Sequence, residues 1–240
     1  MTKNPIYCAI DTSCIDDADR IINEISPYIG GIKLGLEFFT SCGVKGIEKI
    51  SKYELPLFLD FKLYDIPNTV KKSLQNILSY NPKYTTLHVS GGSRMLKECV
   101  DLKNELNSST NLIGVTMLTS FDDGSINEIG MSGTVNKNVD NLSALAFDCG
   151  MDGIVCSPME IRKVKETFGS KLKVIVPGIR NQTDNNNDQM RTLSAKKAIE
   201  LGADVIVVGR PITSADSPGR AAEIYHLSIK WLKRTLKFVE

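Results

Sequence analysis

One segment of the sequence places charged residues inside an apolar run, LFLDFKL at positions 57–63. Side chains of a β-strand alternate between two faces, so Asp60 and Lys62 share one face. The apolar face is formed by Leu57, Leu59, Phe61 and Leu63. A carboxylate and an ammonium are costly to bury unless they pair with each other. The segment therefore predicts a strand with an apolar outer face and an acid–base pair directed into an interior site.

Two earlier segments carry charges in a similar way. Asp11 ends an apolar segment near the N-terminus, and Lys33 interrupts the next one. Alternation places Lys33 on the inner face, as it does Asp60 and Lys62. Three strand ends thus carry four charged residues, which is more than the packing of a barrel interior requires. This favours a reactive site over the alternative interpretation, a buried ion network with a purely structural role.

The neighbours of Lys62 indicate which chemistry it performs. A lysine that forms a Schiff base, as in aldolases, needs a lowered pKa, which comes from desolvation or a neighbouring cation. Lys62 instead lies between Asp60 and Asp65 in the sequence, and carboxylate neighbours favour the charged form of an amine. We therefore expect Lys62 to act as an acid and not as a nucleophile.

The elements that would position these residues repeat along the chain. Short apolar segments alternate with helical periodicity, and the first five strand candidates start 25 to 27 residues apart. Eight such units fit a closed parallel barrel, whereas an open doubly wound sheet usually has about five or six strands. The sequence thus predicts an α/β fold, a single-domain (β/α)8 TIM barrel over residues 1–240. The strand candidates are 6–10, a segment near Ile32, 57–59, 84–89, 112–116, 153–156, 172–176 and 204–208.

The last segment, 218–238, is expected to be a closing helix. Apolar residues recur in it at roughly helical spacing, and we expect them to pack in the core. These residues are Ile224, Leu227, Trp231 and Leu232.

Composition and charge exclude several classes of protein. The 240 residues include 29 Lys and Arg against 28 Asp and Glu, and this balance excludes a broadly basic nucleic-acid binder. No apolar run approaches the roughly 20 residues that span a bilayer, so no membrane partner is expected. The six cysteines show no CxxC pair and no zinc-finger spacing, which indicates a reducing compartment and a cytoplasmic protein.

Several motifs extend the pattern beyond the third strand. The chain reads DFKLYDIPNTV at 60–70, and further motifs are LTS at 118–120, CSP at 156–158, PGIR at 177–180, DQ at 188–189 and VVGRPI at 207–212. In content, order and spacing this set resembles the orotidine 5′-phosphate decarboxylase family. The resemblance implies a phosphate-binding barrel that works as a homodimer, without metal or organic cofactor. It also implies conversion of orotidine 5′-monophosphate to uridine 5′-monophosphate and CO2, in pyrimidine synthesis.

The resemblance further implies a role for individual residues. Lys62 would protonate C6 of the pyrimidine, Asp60 would face the substrate carboxylate, and Lys33 would complete an alternating Lys, Asp, Lys, Asp array. Asp65, with Ile66 and Thr69, would reach across the dimer interface into the neighbouring site. The remaining expected contacts are Asp11 and Lys33 to the ribose hydroxyls, Thr119 to the pyrimidine edge, and Arg180, Gln189, Gly209 and Arg210 to the 5′-phosphate.

Two alternative functions use the same barrel. A metal-dependent sugar-phosphate decarboxylase of the 3-keto-gulonate 6-phosphate type has a related Asp-x-Lys-x-x-Asp motif, but it would need a carboxylate where the second strand ends. Lys33 occupies that place and repels a divalent ion, while the nearby Glu37 is expected to begin the next helix. A non-catalytic nucleotide-binding barrel would have no need of a buried proton donor.

Three features outside the third strand also bear on the site. Gly209 follows the eighth strand, where backbone N–H groups can approach an anion and Arg210 can supply a fork of donors. The segment 180–191 is either a flexible surface loop or a lid over the phosphate, and Asn181 stands in it where the family commonly has proline. His88 has no nucleophile partner, and we expect it to be structural.

Overall fold

Eight parallel strands form a closed barrel in the computed structural model, which describes residues 4–181 and 192–230. Each strand pairs with the next, and the eighth pairs with the first, with Val207 opposite Tyr7. The predicted (β/α)8 barrel is therefore confirmed. The strands are β1 (Ile6–Ala9), β2 (Gly31–Leu34), β3 (Leu57–Leu63), β4 (Tyr84–His88), β5 (Asn111–Val115), β6 (Gly153–Val155), β7 (Lys173–Val176) and β8 (Val205–Val208).

Helices follow the strands and form the outer layer. Both β5 and β8 are followed by two helices, which the simple strand–helix repeat did not predict. In the described ranges, no helix is both long enough and apolar enough to cross a membrane. The α-helices described are α1 (Ile15–Ile25), α2 (Leu36–Ser51), α3 (Pro67–Leu78), α4 (Gly92–Glu105), α5 (Asp123–Glu128), α6 (Val135–Asp148), α7 (Ile161–Phe168), α8 (Ala195–Glu200), α9 (Arg210–Thr213) and α10 (Pro218–Lys230), and short 3-10 helices lie at Ser26–Tyr28, Val89–Gly91 and Gly169–Lys171.

Apolar side chains pack on both sides of the barrel wall. Inside, the rings of Tyr7, Phe58 and Tyr84 meet edge to face, with centroids 5.5 to 6.4 Å apart. Outside, alternate residues of β3 face the helices, and the Phe61 ring lies 4.7 Å from that of Phe39 in α2. The aromatic layer fills part of the interior, which leaves room for polar groups towards the carboxyl ends of the strands.

Two aspartates tie neighbouring strands together at their amino ends. Asp152 directly precedes β6; one of its oxygens accepts a backbone N–H of β5 at 2.8 Å, and both accept Lys103 Nζ, at 2.6 and 2.8 Å. Asp204 directly precedes β8 and accepts a backbone N–H of β7 at 2.7 Å and Lys165 Nζ at 2.6 Å. We call these the two Lys–Asp clamps. They pin β5 to β6 and β7 to β8 at the end of the barrel away from the predicted site.

The closing helix α10 packs on α1 through a face other than the predicted one. Ile224 and Leu227 are 49% and 51% exposed, so their assignment to the core was wrong. The direction from which α1 and the barrel approach decides the buried face, and hydrophobicity alone does not reveal it. Trp231 and Leu232 lie outside the described residues. The buried residues of the helix are Pro218, Ala222, Tyr225 and Ile229.

Candidate active site

A cavity of about 260 Å³ opens at the carboxyl ends of the strands, where TIM-barrel enzymes carry out their chemistry. Most of the sequence-predicted site residues meet there, although they come from the ends of different strands. The predicted residues that line the cavity are Asp11, Lys33, Asp60, Lys62, Thr119, Arg180, Gly209 and Arg210. Apolar or small residues complete the wall, namely Ala9, Phe58, Val115, Met117, Leu118, Val155, Ile175, Pro177, Gly178 and Val207.

Four of these residues form a continuous chain of alternating charge. Lys62 Nζ lies 2.9 Å from Asp60 Oδ2, and Lys33 Nζ lies 3.5 Å from the same oxygen. Lys33 Nζ also lies 3.4 Å from Asp11 Oδ1. The side chain of Asp60 is only 11% exposed, whereas that of Lys62 is 33% exposed. The arrangement holds a carboxylate at the base of the cavity and leaves an ammonium accessible from it.

The charges stabilise one another against burial. Burial alone would raise the pKa of Asp60, but Lys33 and Lys62 outweigh it and hold that pKa below the usual range. Burial would likewise lower the pKa of Lys33, but Asp60 and Asp11 outweigh it and the pKa is raised. Asp60 is therefore an anion and Lys33 a cation at neutral pH.

The backbone of β3 departs from regular strand geometry at Lys62. Its φ is 50°, in the left-handed region that non-glycine residues seldom adopt, and the pairing of β3 with β4 shifts register between Leu59 and Leu63. The Lys62 N–H donates instead to Oγ1 of Thr86, at 2.9 Å. Such strain concentrates at functional sites, and the surrounding structure must hold it in place.

Thr86 is the residue of this centre that the sequence analysis missed. It lies on β4 and is fully buried, and its hydroxyl donates to Asp60 Oδ1 at 2.9 Å. The signal was present, because Thr86 is two residues from Tyr84 and alternation directs both side chains into the barrel. Nothing in the sequence, however, states the register that places Thr86 beside Asp60.

The cavity lining also includes the two predicted arginines. Arg180 is buried, and its Nη1 donates to the carbonyl of Ile179 at 2.8 Å, while Arg210 is exposed at the start of α9. A Cβ at Gly209 would lie 3.5 Å from the nearest protein atom, which is an ordinary contact. Packing therefore does not require glycine there.

Three predicted residues lie outside the cavity of this chain. Asp65, Ile66 and Thr69 are exposed in the loop after β3 and the first turn of α3, and Asp65 Oδ1 accepts the backbone N–H of Ile66 at 2.6 Å. None of the three lines the cavity. Gln189 and the segment 182–191 lie outside the described residues, so the lid interpretation stays a prediction.

Two other residues can be placed relative to the site. Glu37 lies exposed in the first turn of α2, as expected for a helix-starting residue. His88 ends β4 and does not line the cavity; its ring centroid lies 5.5 Å from that of Tyr64. Burial and the nearby Lys62 charge lower the pKa of His88, so its ring is neutral at neutral pH.

Comparison with known proteins decides the family. Residues 4–225 match the model of the "Orotidine 5'-phosphate decarboxylase / HUMPS family". The chain belongs to this family. A Wolbachia pipientis (subsp. Culex pipiens, strain wPip) protein named orotidine 5'-phosphate decarboxylase is 42% identical over 221 residues, which are 92% of this chain and 96% of that protein.

Two further family relatives show the same similarity over nearly the whole chain. The orotidine 5'-phosphate decarboxylase of Ehrlichia chaffeensis (strain ATCC CRL-10679 / Arkansas) is 44% identical over 230 residues, 95% of this chain and 98% of that protein. The crystal structure of the Lactobacillus acidophilus orotidine 5'-phosphate decarboxylase superposes with a TM-score of 0.81 at 32% identity, covering 95% and 99% of the two chains. The fold and the family are thus established independently of the site geometry.

Proposed function

We propose that this chain decarboxylates orotidine 5′-monophosphate to uridine 5′-monophosphate and CO2, with Lys62 as the proton donor. The observation that carries the proposal is the Lys62–Asp60 pair at the cavity, with Nζ 2.9 Å from a buried, ionised carboxylate. A binding module for the product would have no need of such a pair. The reaction would supply the uridine nucleotide in pyrimidine synthesis.

In the proposed reaction, Lys62 supplies the proton that replaces the departing carboxylate at C6. The bond between C6 and the carboxylate breaks, CO2 leaves, and the electron pair stays on C6 in the plane of the ring. Lys62 donates a proton from Nζ to C6, and the neutral amine regains a proton from solvent. Asp60 and the cavity wall hold the ammonium in place before the bond breaks.

Electrostatics at the reacting carbon supplies part of the rate enhancement. An ammonium about 4 Å from the developing charge contributes roughly 4 kcal/mol at an effective dielectric of 20, and Asp60 beside the substrate carboxylate contributes a repulsion of similar size. The hardest enzymatic accelerations need on the order of 20 kcal/mol. Binding of the remote phosphate must therefore also be used to orient the substrate and exclude water.

Arg180, Arg210 and Gly209 would hold the 5′-phosphate. Both arginines line the cavity, and Gly209 lies between β8 and α9 with no packing requirement for glycine. A close approach of the phosphate to the backbone N–H groups would explain why this position lacks a side chain. Gln189 would complete the phosphate contacts from the segment 182–191, and Thr119 would hold the pyrimidine edge.

A second copy of the chain completes the site in this proposal. Asp65, Ile66 and Thr69 are exposed and lie outside their own chain's cavity, as residues that serve a neighbouring cavity would. Ile66 is 67% exposed, although it is a large apolar residue. A cytoplasmic homodimer that shares its two active sites accounts for both features.

A substrate assay with and without a strong chelator tests the proposal. Lys33 lies between Asp11 and Asp60, at 3.4 and 3.5 Å, so an ammonium already neutralises the oxygens that a divalent ion would need. We expect the loss of absorbance of orotidine 5′-monophosphate to proceed equally in EDTA. No change in that absorbance, together with CO2 release from 3-keto-gulonate 6-phosphate that EDTA abolishes and magnesium restores, would favour a metal-dependent sugar-phosphate decarboxylase instead.

A further inference from the structure

We infer that Thr86 is a positioning residue for the reaction. Its single hydroxyl group holds both the Asp60 carboxylate and the Lys62 backbone in place. The inference rests on the proposed decarboxylase function. Thr86 does not line the cavity, so it reaches the substrate only through Asp60 and Lys62.

The direction of the two hydrogen bonds is fixed by their chemistry. The Lys62 N–H can only donate, so Oγ1 of Thr86 accepts that bond at 2.9 Å. The hydroxyl proton is then free to point to Asp60 Oδ1, also 2.9 Å away. Thr86 therefore presents a donor to Asp60 and favours its ionised form.

This bond also selects which carboxylate oxygen faces the lysines. Thr86 occupies Oδ1, whereas Lys62 and Lys33 both lie nearest to Oδ2. A hydrogen bond on each oxygen fixes the rotation of the carboxylate plane. The ammonium of Lys62 thus has a single place to bind, directly beside the cavity.

Thr86 also accepts a hydrogen bond from the Lys62 N–H, which lies where the regular pairing of β3 with β4 is interrupted. Regular pairing between β3 and β4 is interrupted from Leu59 to Leu63, where Lys62 has its φ of 50°. Without the hydroxyl, the Lys62 N–H would lose its acceptor in the middle of a strained segment. The same oxygen atom of Thr86 therefore holds the backbone of Lys62, the proposed proton donor, and the side chain of its partner Asp60.

Thr85 offers a matched control next to it on the same strand. It is also fully buried, and its hydroxyl donates to the Leu59 carbonyl at 3.0 Å, away from the cavity. Thr85→Val and Thr86→Val each remove one buried hydroxyl and nearly keep the side-chain shape. Thr86→Ser keeps the hydroxyl at the site, and Thr86→Ala removes it without adding bulk.

We expect Thr86→Val and Thr86→Ala to lower kcat roughly tenfold to hundredfold, the range for a lost hydrogen bond to a charged group. KM for orotidine 5′-monophosphate should change little, because Thr86 does not touch the ligand. Thr86→Ser should restore most of kcat, and Thr85→Val should lose thermal stability but retain kcat. Equal kcat in Thr86→Val and Thr85→Val, or no recovery in Thr86→Ser, would overturn the inference.

A readout that needs no turnover separates this inference from the proposed function. The carboxyl carbon of Asp60, followed by carbon NMR against pH and assigned with Asp60→Asn, should titrate at higher pH in Thr86→Val or Thr86→Ala than in Thr85→Val. An unchanged titration would refute the positioning role. If the wild-type protein does not turn over orotidine 5′-monophosphate, the proposed function fails and this titration alone decides the role of Thr86. If Thr86→Val does not fold, Thr86→Ala provides both measurements.

Discussion

Lys62 combines a strained backbone, a close carboxylate partner and partial access to the cavity. Its φ is 50°, its Nζ lies 2.9 Å from Asp60 Oδ2, and its side chain is 33% exposed. A lysine on an ordinary surface has rotamer freedom to lose when it binds a ligand, whereas this ammonium is already held by its partner. This arrangement suits the proposed role of Lys62, which is to deliver a proton to one place.

The ring of His88 reports on the charge of Lys62. Burial and then Lys62 lower the pKa of His88, while Asp60 raises it. Lys62→Ala removes one cause that lowers the pKa of His88 and leaves the Asp60 carboxylate, which raises it, so the pKa of His88 should rise. Proton NMR titration of the wild type and Lys62→Ala measures this, and His88→Asn assigns the signal.

The lowered pKa of His88 also makes the stability of the folded protein depend on pH. Because the folded pKa of His88 lies below the unfolded value of about 6.5, the folded state should lose stability as pH falls from there through the folded pKa. His88→Asn should flatten this part of the profile of unfolding free energy against pH. A pKa of His88 that stays the same or falls in Lys62→Ala would contradict the assigned electrostatics.

Secondary structure and the inward charges were predictable because they depend on local pattern. Alternation along β3 was enough to place Asp60 and Lys62 on the inner face, and the repeat length was enough for the barrel. Contacts between elements were not predictable, because they depend on register. Thr86 was missed for that reason, and the buried face of α10 was misassigned because the approach of α1 decides it.

The two Lys–Asp clamps should contribute unequally to stability. Asp152 accepts three bonds and its side chain is 24% exposed, whereas the side chain of Asp204 is 41% exposed. We expect Asp152→Ala to cost about 1.5–3 kcal/mol and Asp204→Ala about 1 kcal/mol. Urea unfolding measures both, with the exposed Asp101→Ala on α4 as the control.

Turnover per folded molecule should be unchanged in both clamp variants, since the clamps lie at the amino ends of the strands. Equal losses of stability in the two clamp variants would contradict their unequal contribution. A loss in Asp101→Ala as large as that in Asp152→Ala would contradict the stabilising role of the Asp152 clamp.

At the scale of the whole molecule, one barrel gathers most of the predicted site residues around its cavity and exposes three others, Asp65, Ile66 and Thr69, at its surface. The loop after β3 presents Tyr64 and Ile66, which are 62% and 67% exposed, next to Asp65. Exposed apolar groups beside an exposed acid suit a surface that meets a second copy of the chain. The catalytic unit would then be the dimer, although each barrel folds around its own core.

Mixing two inactive variants tests whether the site is shared. Lys62→Ala and Asp65→Ala subunits form a hybrid dimer in which one site carries both substitutions and the other carries neither. If half of the dimers in an equal mixture are hybrids, roughly a quarter of wild-type activity should return. No recovery, with subunit exchange demonstrated by mass spectrometry, would show that Asp65 acts within its own chain or not at all.

Decarboxylation in heavy water tests the central assignment most directly. The wild-type protein incubated with orotidine 5′-monophosphate should release CO2 and yield uridine 5′-monophosphate with deuterium at C6. Lys62→Ala should yield neither while still binding the product nucleotide, and Lys137→Ala, an exposed lysine on α6, should behave as wild type. Wild-type rates of CO2 release and C6 deuteration in Lys62→Ala would contradict the account.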